Sequence, residues 1–93
     1  MDLQELRQQI DRIDNSLVDL FQKRMDVSAE IARYKQDQNL PVHDPDRERQ
    51  KLHELSGKVK EGRKAYITAL YSLLFELSRA EQERIMNTSS EKK

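Results

Sequence analysis

The chain has 93 residues, of which 35% are apolar and 37% charged, enough for one small domain whose own core would be marginal. Seventeen cations balance seventeen acids, so no net field holds nucleic acid or a membrane surface, and any bound anion must be gripped by local placement. There is no cysteine, which removes disulfides, thiol catalysis and Cys-type metal sites.

Apolar residues at Leu3, Leu6, Ile10, Ile13, Leu17, Leu20, Val27, Ile31 and Tyr34 alternate by three and four. That spacing predicts one long amphipathic helix from about Leu3 to Gln38, with Asp2 as N-cap and Glu5 three residues on. Pro41 closes it, because the residue before a proline avoids the α region. Asp44-Pro45-Asp46 marks the next start: an Asp N-cap, Pro in the first position and an acid near the positive end of the dipole. This second helix is expected to reach about Ser56. Gly57 and Gly62 bracket a charged link, and either glycine suits the helix end. A third helix is expected from near Lys64 to about Met86, with residues 67, 71, 74, 78, 82 and 85 on one face. Residues 1–86 form a single helical domain in this reading, and the polar tail 87–93 is expected to be disordered. No strand signal occurs, so the fold class is all-α.

A helix of about 36 residues is roughly 54 Å long, whereas a compact chain of this length is about 30 Å across. The first helix therefore outruns its own domain, and its apolar stripe calls for a second copy of the chain. The expectation is an intertwined homodimer.

One slot in the seam is not apolar: Arg24 sits between Leu20 and Val27. A cation there is costly unless an anion meets it. Lys35 lies three turns on, about 16 Å along the same face, so two long side chains could grip one small molecule. Arg7 borders the same stripe but lies about 25 Å from Arg24, and can share a small ligand with it only from a neighbouring subunit. Asp44, Arg47 and Glu48 cluster at the start of the second helix, and Ser78 and Gln82 put polarity on the buried face of the third. Each also has a plainer explanation. Arg24 reads equally well as snorkelling out of the seam; Arg7 and Lys35 as solvated flank residues; Arg47 and Glu48 as first-turn charges; Ser78 as a small residue at a helix crossing; and Gln82 as a rim hydrogen-bonder. His43 and His53 stand on different elements and make no convincing metal site. No metal or cofactor is expected.

These residues resemble the all-α chorismate mutases, small intertwined dimers with three helices per chain. The resemblance runs from about Leu3 to Gln82. Its motifs are Leu6-Arg7-Gln8-Gln9-Ile10-Asp11-Arg12-Ile13-Asp14, Lys23-Arg24, Ala32-Arg33-Tyr34-Lys35, the run Pro41-Val42-His43-Asp44-Pro45-Asp46-Arg47-Glu48-Arg49, and Ser78 followed four residues later by Gln82. It implies a six-helix dimer with two shared pockets and the rearrangement of chorismate to prephenate. It also implies site roles. Arg24, with Arg7 from the partner chain, would pair with two carboxylates, and Ser78 would help hold one. Lys35 and Gln82 would donate to the ether oxygen of the breaking bond. Glu48 would accept from the ring hydroxyl, with Asp44 and Arg47 shaping that side. A unimolecular rearrangement needs neither nucleophile nor metal; it needs a flexible dianion held compact and donors aimed at an oxygen gaining charge. The implied setting is a cytoplasmic enzyme of phenylalanine and tyrosine biosynthesis, with no nucleic-acid or membrane partner. Isochorismate–pyruvate lyase of the same fold, or a non-catalytic helical dimerisation module, are the alternatives.

Overall fold

The computed structural model describes residues 1–91. Three α-helices follow one another, α1 at Leu3–Asp37, α2 at Pro45–Ser56 and α3 at Lys64–Glu91, with a short 3-10 turn at Glu61–Arg63 leading into α3. The all-α expectation holds.

Both long-range starts are set by Asp caps. The Asp2 side chain accepts from the Glu5 amide at 2.8 Å, and Asp44 accepts from the Arg47 amide at 3.1 Å with Pro45 behind it. The end of α1 is set before Pro41, by a defined turn. Asn39 takes a left-handed backbone, φ 56, its amide donates to the Gln36 carbonyl at 3.3 Å, and the Leu40 amide donates to the Lys35 carbonyl at 2.8 Å. This crossed pair is the Schellman closure, for which Asn is the usual substitute for glycine. Gly57 caps α2 in a right-handed conformation. Of the two glycines left open by the sequence, it is the first that ends the helix.

At its far end α3 departs from expectation. It runs on through Asn87–Ser90 to Glu91, where the sequence suggested a stop near Met86 and a disordered tail. Nothing after Met86 breaks a helix: there is no Gly or Pro, and Asn, Thr and Ser each cost only a few tenths of a kcal/mol relative to good helix formers. The last two residues of that tail lie outside the described ones.

The central element is α3, which packs on both α1 and α2. The buried residues of α1, Ser28 and Ala32, lie in its C-terminal half. The N-terminal half reaches beyond the packed region. Leu6, Ile10, Ile13, Leu17 and Leu20 are 43–59% exposed, and so are Leu70 and Leu73 of α3, at 49% and 52%. The longest dimension is 58 Å and the radius of gyration 16.8 Å, well above the ~12 Å of a compact chain this size. Among the described residues the buried apolar set is only Ala32 and Phe75. No helix among them is long and apolar enough to cross a membrane.

Candidate active site

Arg24, Ser28, Ile31 and Lys35 follow one another at four, three and four residues, so helical geometry puts them in one row on α1. On α3 the row is Phe75, Ser78 and Gln82, and on α2 it is Arg47, Glu48 and Lys51. The three rows converge on a cleft of about 290 Å³. Six of the eight residues singled out from the sequence line it: Arg24, Lys35, Arg47, Glu48, Ser78 and Gln82.

Arg24 does not simply snorkel away from the seam. Its guanidinium lies 5.9 Å from the Tyr71 ring centroid and 5.8 Å from that of Phe75, within cation–π range of both. Those two rings meet edge to face, centroids 5.9 Å apart. The aromatic pair thus fixes the guanidinium between the cleft on one side and, on the other, an apolar groove bounded by Leu17, Leu20, Leu70 and Leu74.

The floor of the cleft is a polar chain. Ser28 and Ser78 place their hydroxyl oxygens 2.6 Å apart, and Gln82 Nε2 donates to Ser78 Oγ at 3.3 Å. All three residues are buried, and Gln82 Oε1 has no partner among the described residues. A buried amide oxygen left unpaired costs on the order of 1–3 kcal/mol, so this end of the cleft is built to meet another polar group. Rotation of the amide exchanges its ends, with Oε1 accepting from Ser78 and Nε2 becoming the free donor.

Lys35 reaches the other end. Its ammonium donates to the Val42 carbonyl at 2.7 Å, which ties the connection before α2 to the last turn of α1 and leaves two further N–H groups on the ammonium. Arg47 is exposed on the rim, and Lys51 lines the cleft one turn on. Glu48 is the one carboxylate in the lining. It is met from behind by Arg79 of α3, whose Nη1 lies 2.6 Å from both carboxylate oxygens, and His43 Nε2 stands 3.7 Å from Oε1.

Two expected residues are not in the lining. Asp44 caps α2 and borders an adjoining cleft with Lys35, Pro41 and His43. Arg7 is exposed on the N-terminal half of α1, as its distance along the helix requires. Three residues that the sequence reasoning passed over belong here: Ser28, Lys51 and Arg79. Ser28 and Lys51 were within reach, each being four residues beyond an arginine already singled out. Arg79 carries no such signal, because its partner is on another helix.

Four cations against one neutralised carboxylate make this a cleft for a small polyanion, carried on a three-helix chain whose first helix exposes much of its apolar stripe. The sequence comparisons agree with that class. Residues 6–83 match the family model of chorismate mutase type II, and the chain belongs to that family. A bifunctional chorismate mutase/prephenate dehydratase of Buchnera aphidicola (subsp. Schizaphis graminum) is 35% identical over 88 residues, covering 92% of this chain and 23% of the relative. A chorismate mutase of Methanocaldococcus jannaschii is 36% identical over 47 residues, half of this chain and 48% of the relative. A 4-amino-4-deoxychorismate mutase of Streptomyces venezuelae is 39% identical over 46 residues, covering 50% of this chain and 45% of the relative. This chain matches only 14–23% of the length of the bifunctional relatives. No solved structure is a significant match.

Proposed function

We propose that this chain, paired with a second copy, rearranges chorismate to prephenate in the cytoplasm, as a step towards phenylalanine and tyrosine. The observation that carries the reading is the cleft itself: Arg24, Lys35, Arg47 and Lys51 around a volume suited to one small dianion, with Ser78 and Gln82 at its floor, in a chain of this family.

The reaction is a [3,3] shift. The ether C–O bond breaks as the new C–C bond forms, six electrons move in a ring, and no proton is transferred. Catalysis then comes from two sources. One is restriction of the flexible dianion to the folded conformer that reacts. Arg24, pinned between its aromatic rings, pairs with one carboxylate, Ser78 helps to hold it, and Arg7 of the partner subunit takes the other. The second source is donation to the ether oxygen, which gains negative charge as its bond stretches. Lys35 and the Gln82 amide supply those donors. Glu48 accepts from the ring hydroxyl, and Asp44 and Arg47 shape that side.

The homodimer reading is supported by the exposed apolar stripe of α1 and by the two-residue apolar core. A stripe of that length left in water would be a large aggregation-prone patch. In the intertwined six-helix arrangement it is covered by the same stripe of the second copy, which also brings Arg7 to a cleft about 25 Å along the helix axis from its own.

The decisive experiment adds purified protein to chorismate and follows the loss of its absorbance, with prephenate identified as product. A parallel assay on isochorismate separates the lyase of the same fold. If neither substrate is consumed and calorimetry detects no dianion binding, the chain is a helical dimerisation module instead.

A further inference from the structure

We infer that Arg79 sets the cleft's preference for a hydroxyl over an ammonium on the substrate ring, by neutralising Glu48 from behind. The inference rests on the mutase reading, which gives Glu48 the ring substituent.

The Glu48–Arg79 contact is unlike the other pairs of Lys or Arg with a carboxylate among the described residues. Those are local, three or four residues apart, and each has at least one well-exposed partner. This one joins α2 to α3 across 31 residues, with both side chains mostly buried, 23% and 29% exposed. One guanidinium nitrogen sits 2.6 Å from each oxygen of the carboxylate. Glu48 lines the cleft and Arg79 does not. The carboxylate is therefore sandwiched, with its cation on the outer side and its remaining lone pairs towards the ligand volume.

That arrangement separates two jobs a carboxylate can do. As an acceptor it still takes a hydrogen bond from a neutral hydroxyl. As a counter-ion it is already used. Its other charged neighbours are the cations Lys35 from α1 and Arg47 and Lys51 on its own helix, with His43 from the connection before α2; the one further acid, Asp44, already commits its carboxylate to the Arg47 amide as the cap of α2. An ammonium on the ring would enter a strongly positive enclosure without an uncommitted anion to meet it, and like charges at short range in a half-buried site repel strongly. Removing the Arg79 charge would release Glu48 as a counter-ion and reverse that bias.

The test compares kcat/KM for chorismate with that for the analogue bearing an amine in place of the ring hydroxyl. It uses the wild-type dimer and the variants Arg79→Leu, Arg79→Gln and Arg79→Lys, at pH 7 and at a pH above the amine's own pKa. The wild type should prefer the hydroxyl. At pH 7, Arg79→Leu and Arg79→Gln should shift the ratio towards the amine by at least ~10-fold, mostly through KM because the contact is made alike in ground and transition states. The shift should fade once the amine is neutral. Arg79→Lys, which keeps the charge, should retain the wild-type ratio. Arg79→Gln keeps a polar tie to α2 and serves if the leucine variant does not fold. A wild-type preference for the amine, a ratio unchanged within about twofold in both neutral variants, or a shift that persists at high pH would each overturn the assignment and leave Arg79 as a tie between helices. If the wild type consumes neither substrate, it is the mutase reading that fails.

Discussion

Ser28 of α1 and Ser78 of α3 hold their hydroxyl oxygens 2.6 Å apart where the two helices cross, and Gln82 Nε2 reaches the same Ser78 oxygen at 3.3 Å. Only small side chains allow so close a crossing, and only polar ones give the cleft a hydrogen-bonding floor. The chain of groups ends on a buried Gln82 oxygen without a partner. Ser28 thus fixes Ser78, and Ser78 fixes the amide that would face the ether oxygen.

The amide makes the first prediction. In the proposed reading Gln82, with Nε2 turned to the cleft, would donate to the ether oxygen; a glutamate there at neutral pH would present a lone pair to developing negative charge. Protonated at low pH, it becomes a donor again. Gln82→Glu should lose most activity at pH 7.5 and recover part of it near pH 5, measured as kcat across that range. Wild-type rates with a flat profile would place Gln82 outside the reacting site.

Lys35→Ala should lower kcat by at least ~10²-fold, the usual consequence of losing one preorganised donor to a transition-state oxyanion. The structure adds a stability effect. The lost 2.7 Å bond to the Val42 carbonyl should cost about 1–2 kcal/mol, as for a partly exposed charged donor, read as a lower denaturant midpoint. Lys35→Arg tests the geometry, since a guanidinium can keep the charge and the loop contact yet misplace the donor. A defect confined to KM would mean that Lys35 only attracts the anion.

Asp44 offers a cleaner separation of packing from chemistry. Its carboxylate accepts from the Arg47 amide at 3.1 Å, which is the N-cap of α2. Asp44→Ala should destabilise by about 1 kcal/mol and Asp44→Ser by much less, because serine caps nearly as well. Activity at saturating substrate should follow the cap: near wild type in the serine variant, within about threefold. A serine variant that is stable yet inactive would put the carboxylate itself on the substrate.

Much of this molecule was legible because its signals are periodic or local. The three-and-four spacing gave α1 to within a residue at each end, and Asp44-Pro45 gave the start of α2. Arg24, Lys35, Ser78 and Gln82 stood out because each interrupts or borders an apolar row. The polarity after Met86 predicts an end that does not come, because helix propensity and not polarity decides whether the helix continues. The left-handed closure at Asn39 leaves no mark in the apolar periodicity. Arg79 could not be found in this way. Its meaning lies in the register between α2 and α3, and periodicity along one helix carries no information about which residue of another helix stands opposite.

Helix length carries the last prediction. Along α1, Arg7 is about 25 Å from Arg24, so within one chain the two cannot clamp the same small dianion. In the proposed dimer each cleft takes Arg24 from one chain and Arg7 from the other. Arg7→Ala and Arg24→Ala homodimers should both be nearly inactive, since every cleft then lacks one of its two carboxylate clamps. Unfolding the two variants together in equal amounts and refolding them should restore activity. Random pairing makes about half of the dimers mixed, and each mixed dimer has one cleft with both arginines and one with neither, so about a quarter of all clefts should be wild type. The Arg24→Ala homodimer should also be somewhat less stable, having lost the cation–π contacts to Tyr71 and Phe75, so exchange must be verified by mass or by affinity tags on each variant. A refolded mixture that exchanges subunits but stays as inactive as its parents would refute the shared cleft and return Arg7 to the solvated flank of α1.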